Sequence, residues 1–477
     1  MSVLDIIIIT AFLTMVAGWG ILSGGKQKSV KDYFLGASEV PWYVVTFSIV
    51  AAETSALTFI SIPGLAYLTN LNFLQVTIGY LLGRIVIAKF LLPEYFKGDL
   101  TTAYMFLEGR FGTTTRRFAS IVFIVTRVAS DGVRLFATAI PLKILLNIEY
   151  PYAIIIVAAV SLVYTFTGGL KSVIWVDAIQ MFVYLGGAIV SGIFILNALP
   201  GGFSYALQYG AEAGKFEVFN LGFEGGIAEF FSKPYTLIAG LLGGAFLSMA
   251  SHGVDQTIVQ RLMSTGKLKS AQRALIGSGV IVIIQFALFL TLGGLLYVFF
   301  EGATFAKSDE IFPSFIIHHL PSGVKGFIIA GLFAAATSSI SGSLNSLSSA
   351  TMMDLIIPIF KSIKEEMQLT YSKVLTIFWA IILVFSAFFF MSSDRAVVET
   401  ALSIASFTYG GLLGTFLSGV FNKKLNQRGA VIGFAISIAV MAVVIVTKTV
   451  AWTWFTLIGV LIAVGVGMVF SQTEKRN

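Results

Sequence analysis

Two polar runs interrupt the otherwise apolar stretches of this chain, and both are rich in oxygen-bearing side chains. The first run covers residues 51–64, ends in Pro-Gly and contains Glu53, Thr54, Ser55 and Thr58. Polar residues at the middle of a membrane-crossing helix predict an unwound segment, whose freed carbonyls are good sodium ligands. The alternative is a helix that Pro63 kinks and that packs through small residues.

The second polar run, residues 334–346, is dominated by serine. On a helix, the hydroxyls at 338 and 341 or at 339 and 346 would lie along adjacent faces, although Gly342 interrupts one of these rows. Several oxygens from one helix, together with carbonyls of a broken neighbour, suit a hard cation that must be released again. The alternative is close packing of helices through small serine side chains.

Charged residues also fall inside apolar stretches, where each is costly unless it faces a cavity or a partner. Arg127, Asp131 and Arg134 are spaced so that one helical face could neutralise itself, which leaves a structural ion pair and a solute contact as equal alternatives. Asp177 stands near the start of an apolar stretch. It is either a buried cation ligand or a helix-start acid that the dipole favours.

The elements that must position these residues are membrane helices. The chain has 477 residues, of which 57% are hydrophobic and only 12% charged, so it exposes more apolar surface than a soluble globule could hide. The apolar runs are continuous rather than alternating, which favours helices over a barrel. With no Cys and three His, disulfides are excluded and a metal centre of thiol or imidazole ligands is disfavoured.

Hydropathy predicts an all-α polytopic membrane protein with about thirteen transmembrane helices in a single domain, residues 1–477. Two of the predicted spans, 151–168 and 171–199, are separated by a short break that contains Gly169. Most Lys and Arg residues fall in the loops of one side, which predicts an N-terminus outside and a C-terminus inside. No basic domain suggests a nucleic-acid partner. Amphipathic stretches at 101–111 and 311–315 are expected to lie on the membrane surface as interfacial helices.

Several motifs occur in a fixed order along the chain. They are Asp32-Tyr-Phe-Leu-Gly36, Thr58-Phe-Ile-Ser-Ile-Pro63, Ala103-Tyr-Met-Phe-Leu-Glu-Gly-Arg-Phe111, the segment 164–180 that contains Thr-Gly-Gly-Leu-Lys-Ser, Asp255-Gln-Thr-Ile-Val-Gln-Arg261 and the serine-rich run. Together they resemble the sodium:solute symporter family, which includes bacterial sialic acid and galactose carriers, over about residues 26–420. The ordered set is far more specific than any single motif.

The resemblance implies a LeuT-type fold with two inverted repeats of five helices, residues 41–199 and 233–421, and accessory helices at 3–22 and 429–470. It implies a sodium-coupled symporter, not an enzyme, that imports a small polar organic solute as the two repeats rock between alternating-access states. The solute class would be a sugar, a sugar acid or a related carboxylate. The expected location is the bacterial inner membrane, with the monomer as the functional unit and Na+ as the coupling ion.

The resemblance also assigns ligands. The principal sodium site would use backbone oxygens of Ala51, Thr54 and Ala335 with the hydroxyls of Ser338 and Ser339. A possible second sodium would use Asp177, Ser338 and Ser341, but Gly342 offers no hydroxyl where the family pattern has serine, which weakens that site.

The solute is expected beside the unwound helix. The implied contacts are Glu53, Ser55, Thr58, Gln75, Arg134 and Ser248. Glu53 would favour a cationic or hydroxyl-rich solute, whereas Arg134 would favour a carboxylate. The expected solute is a sugar or a sugar acid, although the same scaffold binds many different solutes in the family.

Two other functions stay open at the level of the sequence. Protons could replace sodium as the coupling ion through Glu53 or Asp177, and the chain could sense a solute without transporting it. An intramembrane enzyme is disfavoured, because His252 falls at the end of a predicted span and His318-His319 in a loop.

Overall fold

The computed structural model is helical, and no strand occurs in the part of the chain that it describes. It describes residues 1–98, 100–223, 225–360, 362–391 and 397–473.

The helices are numbered in the order in which they follow one another along the chain. They are α1 (Val3–Gly24), α2 (Val30–Leu35), α3 (Trp42–Glu53), α4 (Ala56–Leu68), α5 (Leu74–Phe90), α6 (Leu92–Tyr95), α7 (Tyr104–Phe111), α8 (Thr113–Leu146), α9 (Tyr150–Ala198), α10 (Gly202–Glu212), α11 (Ile227–Ser232), α12 (Leu237–Gly253), α13 (Gln256–Met263), α14 (Leu268–Phe299), α15 (Ile311–His319), α16 (Val324–Ser349), α17 (Ile357–Ile359), α18 (Glu365–Phe390), α19 (Val397–Phe421), α20 (Gln427–Thr447) and α21 (Phe455–Thr473).

Many of these helices suit a bilayer. Among the described residues, eight helices are long and apolar enough to cross a membrane, and the bent pair of α3 and α4 makes a ninth if it is counted as one span. Apolar side chains such as Phe385 and Val446 are exposed on their outer surfaces, as expected of helices that face lipid. The chain is therefore a multi-pass membrane protein.

The longest helix, α9, changes direction at Gly169. This residue has φ 59° and ψ −153°, and a Cβ there would lie 2.4 Å from the carbonyl oxygen of Tyr33. Only glycine combines this left-handed backbone with such a close approach. The kink lies between the predicted spans 151–168 and 171–199, so the sequence locates it correctly.

Helices α5 and α12 meet along a seam of glycines, Gly79, Gly83, Gly240 and Gly244, at which backbone touches backbone. A Cβ on Gly79 would lie 2.5 Å from the Gly240 carbonyl oxygen, and one on Gly244 would lie 2.2 Å from the Val76 carbonyl oxygen. Small residues allow this approach, as in many membrane helix pairs.

Two short helices bury aromatic residues against the rest of the protein. Phe312 of α15 is fully buried, with its ring centroid 5.4 Å from that of Phe59 in α4, and Tyr104 and Leu107 of α7 are also fully buried. The aromatic residues that suggested a bilayer interface pack against the protein, and the position of these helices at the membrane surface stays a prediction.

Candidate functional site

The first polar run forms a break between α3 and α4. Helix α3 ends at Glu53, Thr54 is extended with ψ 105°, and α4 starts after Ser55 at an angle of 65° to α3. Ser55 is the N-cap of α4, and its hydroxyl accepts a hydrogen bond from the Thr58 N–H at 3.4 Å. The last helical bond of α3 runs from the Thr54 N–H to the Val50 carbonyl. The helical ladder thus stops before the Ala51 carbonyl.

The side chain of Thr54 is held by neighbouring helices. Its hydroxyl accepts a 2.6 Å hydrogen bond from Gln285 Nε2 of α14 and donates to the Val50 carbonyl at 2.8 Å. The Tyr184 hydroxyl of α9 lies 3.2 Å from the same oxygen and 3.0 Å from Gln285 Oε1. Because these hydrogen bonds occupy the Thr54 hydroxyl, the Thr54 carbonyl is the oxygen of this residue that could bind a cation.

The second polar run lies on α16, which is the most enclosed long helix of the described chain, with 94% of its spanning window buried. Most of its hydroxyls bond back to the helix itself. Ser339 donates to the Ala335 carbonyl at 3.3 Å, and Ser341 donates to the Ser338 carbonyl at 3.0 Å. Such bonds satisfy a buried hydroxyl while leaving its lone pairs for a further ligand.

Asp177 of α9 joins α3 to α16. Its carboxylate accepts hydrogen bonds from Ser48 of α3 and from Ser338 of α16, both at 2.8 Å, and from Arg261 of α13 at 3.0 Å. All four residues are fully buried. Asp177 is therefore a buried, ion-paired residue that holds α3 and α16 together, rather than an exposed acid at a helix start.

The residues predicted to bind the principal sodium lie on these two helices. Ala51 and Thr54 belong to the end of α3 and the break, whereas Ala335, Ser338 and Ser339 occupy one turn of α16, and α3 and α16 are in contact. Their candidate ligands are uncharged carbonyl and hydroxyl oxygens in a buried setting. This donor set fits a hard monovalent cation.

Glu53, at the end of α3, is neutralised by a residue that the sequence analysis did not single out. Its carboxylate forms a close ion pair with Arg84 of α5, whose side chain is fully buried and also donates to Ser278 at 2.7 Å. His252 Nε2 lies 3.6 Å from the same carboxylate oxygen. The predicted preference of Glu53 for a cationic solute is thus weakened, because Arg84 already supplies the positive charge.

The other predicted solute residues occupy different surroundings. The hydroxyls of Ser55 and Thr58 lie 3.5 Å apart at the start of α4. Gln75 is fully buried and donates to the Tyr235 carbonyl at 2.9 Å, so its amide already serves the loop before α12. The Ser248 hydroxyl is buried without a hydrogen-bond partner in the described structure, which leaves it open to a ligand.

The ionic row on α8 extends to α13. Asp131 lies 3.6 Å from Arg127 and 3.7 Å from Arg134, as the spacing predicted, but Arg127 also forms a close ion pair with Asp255, which accepts a 2.8 Å hydrogen bond from the Tyr409 hydroxyl. Arg127 is thus shared by two carboxylates. Within the described part of the chain, Arg134, with 27% of its side chain exposed, has one ion-pair contact, the long one to Asp131. Of the two arginines, Arg134 is the one that could bind a carboxylate.

Sequence reasoning missed the polar residues that surround the break. Arg84 and Gln285 stand inside the apolar helices α5 and α14, and a charged or amide side chain in such a helix was the available signal. Tyr184 gave no such signal, because a tyrosine in an apolar helix is ordinary.

Comparison with known proteins agrees with this arrangement. The model of the sodium:solute symporter family matches residues 33–437. The chain is 32% identical to the sodium/sialic acid symporter SiaT of Proteus mirabilis (strain HI4320), over 89% of this chain and 86% of that protein. It is 28% identical to the sodium/sialic acid symporter NanT of Aliivibrio fischeri (strain ATCC 700601 / ES114), over 99% of this chain and 94% of that protein.

Solved structures of transporters also match this chain over most of its length. A substrate-bound, outward-open Na+-coupled sialic acid symporter matches with a TM-score of 0.91 and 27% identity, over 99% of this chain and 98% of that chain. Mhp1, a nucleobase-cation-symport-1 family transporter in a closed conformation, matches with a TM-score of 0.60 at 12% identity, over 94% and 96% of the two chains, and shares the fold alone.

The chain therefore belongs to the sodium:solute symporter family. It is a sodium-coupled symporter of a small organic solute and a transporter rather than an enzyme. The predicted family and the predicted coupling ion are confirmed.

Proposed function

We propose that this chain imports a small, hydroxyl-rich carboxylate, a sugar acid or a related compound, together with sodium across a bacterial inner membrane. The observation that carries the proposal is the state of two charges, Glu53 at the break and Arg134 on α8. Glu53 is compensated by Arg84, whereas Arg134 is partly exposed and, among the described residues, forms a single 3.7 Å contact to a carboxylate. An anionic solute complements such a site, because a guanidinium binds a carboxylate in bidentate geometry.

The relatives support the same solute class. Two bacterial relatives are named sodium/sialic acid symporters, and a human relative, 27% identical over 91% of this chain and 72% of that protein, is named sodium-coupled monocarboxylate transporter 1. The solutes in these names share a carboxylate. Ser55, Thr58 and the unpartnered hydroxyl of Ser248 would then bind hydroxyl groups of a sugar acid, and Gln75 would support the outer wall of the site.

Sodium would bind where the break meets α16. The ligands are the carbonyls of Ala51, Thr54 and Ala335 and the hydroxyls of Ser338 and Ser339. An ion that ties the broken helix to α16 orders the residues that face the solute, so it reduces the ordering cost of solute binding. Sodium and solute must then raise each other's affinity by the same factor, which is the thermodynamic basis of coupling.

The proposed architecture follows the predicted map. The N-terminus lies outside and the C-terminus inside, because this orientation places most Lys and Arg residues on the cytoplasmic side. About thirteen spans result when the two arms of α9, the bent pair and the helices α5, α8 and α19 are each counted as a crossing. Residues 41–199 and 233–421 form the two repeats, residues 3–22 and 429–470 are accessory helices, and the monomer transports.

Uptake into liposomes tests the proposal. Purified protein is given an inward sodium gradient and a panel of radiolabelled sugar acids, sugars, amino acids and monocarboxylates. We expect uptake of one sugar acid or related carboxylate that requires sodium. Uptake driven equally by a proton gradient without sodium would overturn the coupling ion, and sodium-dependent binding of a solute without accumulation would favour a sensor.

Ser339→Ala tests the principal sodium site, because the Ser339 hydroxyl donates to the Ala335 carbonyl of its own helix and, among the described residues, to no other helix. We expect the apparent sodium affinity to fall at least tenfold while the unfolding temperature changes little. Ser343→Ala is the matched control, since Ser343 is also buried on α16 and donates to a carbonyl one turn back, at 3.1 Å. Equal effects of the two substitutions would refute the site.

A further inference from the structure

A guanidinium lies where the family resemblance would place a second sodium. The ligands implied for that ion are Asp177, Ser338, Ser341 and the residue at position 342. In the structure, Arg261 Nη2 donates to Asp177 Oδ2 at 3.0 Å, and both side chains are completely buried. Arg261 therefore supplies the positive charge that a cation at this carboxylate would otherwise supply.

Arg261 is fixed in this position by neutral partners as well. Its Nε donates to the Ser48 hydroxyl at 3.0 Å and its Nη1 to the Thr257 carbonyl at 2.5 Å. Ser48 in turn donates to the Asp177 carboxylate. A buried guanidinium with this many bonds has little freedom to leave the site, because each lost bond would leave a buried polar group unsatisfied.

Gly342 is the residue that makes room for the guanidinium. A Cβ on Gly342 would lie 2.5 Å from Arg261 Nη2, 3.0 Å from Nη1 and 3.2 Å from Cζ. A serine at this position could not provide a hydroxyl ligand while Arg261 keeps its place. The lack of a hydroxyl at position 342 and the burial of Arg261 therefore go together, because a side chain at 342 and the guanidinium would need the same space. The ligands that remain do not fit a second sodium.

The other oxygen atoms that could bind a second sodium already form hydrogen bonds. One oxygen of Asp177 accepts from Ser338 and the other from Ser48 and Arg261. The Ser341 hydroxyl donates to the Ser338 carbonyl. A sodium ion placed among them would lie beside a fixed positive charge in a buried, weakly screening environment.

We propose that the Arg261 guanidinium permanently replaces the second cation, so that this symporter binds and transports one sodium ion per cycle. The inference rests on the proposed sodium symport and adds its stoichiometry. Because Arg261 is covalently part of α13, its charge stays with the protein throughout the cycle, and each turnover moves the charge of one sodium and one solute.

The test counts sodium ions on the purified full-length protein by equilibrium binding of radioactive sodium, which requires no knowledge of the solute. We expect one sodium per chain and a Hill coefficient of about one. Two sodium ions per chain would overturn the inference and leave symport intact, whereas no saturable sodium binding would overturn the proposed principal site itself. The outcomes separate the two proposals.

A double variant makes the test stronger. Arg261→Gln with Gly342→Ser removes the guanidinium and adds the missing hydroxyl, so we expect the count to rise from one sodium to two with a Hill coefficient above one. Gly342→Ser alone is the matched control, because it adds the hydroxyl while the guanidinium remains, and should lower the unfolding temperature without adding a sodium. A gain of a second sodium in this single variant would contradict the steric argument, and a double variant that fails to fold leaves the wild-type count as the decisive result.

Discussion

The ion pair between Glu53 and Arg84 allows a quantitative prediction. The Arg84 side chain is fully buried and that of Glu53 is 18% exposed, so removal of one partner leaves the other charge in a poorly solvated position. Such a loss costs about 3–5 kcal/mol in the free energy of unfolding, whereas replacement of both charges by neutral groups is often close to neutral. We expect Glu53→Gln and Arg84→Met each to destabilise the protein by about this amount.

The two single variants should differ in a way that the contacts explain. Arg84→Met leaves the Glu53 carboxylate with the His252 imidazole, whose Nε2 lies at 3.6 Å, and Glu53→Gln leaves Arg84 with the Ser278 hydroxyl at 2.7 Å. The double variant should be more stable than either single one, because no uncompensated charge remains. The measurement is a double-mutant cycle of unfolding free energies in detergent micelles.

An exposed pair on the same protein provides the control. Lys97 and Glu94 are 2.5 Å apart, but the Lys97 side chain is 68% exposed. Glu94→Gln should change the free energy of unfolding by no more than about 1 kcal/mol, as is typical of surface pairs. If the costs of Glu53→Gln and Arg84→Met simply add in the double variant, the ion pair contributes nothing and the reasoning is refuted.

Two further predictions concern the solute and the C-terminal end of α4. Arg134→Gln should raise the KM for a carboxylate solute roughly 10- to 150-fold and leave sodium binding unchanged, because a hydrogen bond to a charged group contributes about 1.5–3 kcal/mol. The wild type and the variant should transport the neutral amide of the same solute equally poorly. An unchanged KM would exclude Arg134 as the carboxylate site. Lys215 donates to the carbonyls of Tyr67 at 2.8 Å and Thr69 at 3.1 Å, at the C-terminal end of α4. Lys215→Met should therefore lower the free energy of unfolding by about 1.5–3 kcal/mol, and a thermal unfolding curve identical to that of the wild type would show that these bonds do not stabilise the helix end.

The sequence predicted local features well where a single segment carried the signal. The polar run 51–64 predicted an interrupted helix, and the structure breaks it at Thr54 and Ser55, inside that run. The glycine pair before Leu170 likewise separated two predicted spans at the position of the kink. In both places the cause is local, because capping hydroxyls and left-handed backbone depend on neighbouring residues.

The sequence could not predict which helices meet around the site. Asp177 was recognised as a costly buried acid, but its partners lie 84 residues away at Arg261 and 129 residues away at Ser48, on helices whose packing no spacing rule gives. The same holds for Arg84, which pairs with Glu53 across 31 residues and two helices. Charge compensation depends on how the helices pack, so the sequence did not show that Glu53 and Asp177 are each already paired with an arginine.

The glycine seam between α5 and α12 constrains how the transporter can move. Helix α5 belongs to the proposed first repeat and α12 to the second, and their backbones touch at Gly79 and Gly244, which leaves no gap for one helix to slide along the other. We therefore expect the two helices to move together during transport. On this expectation, the boundary between the moving parts differs from the boundary between the proposed repeats, and the bend at Thr54 and Ser55 is available as a hinge.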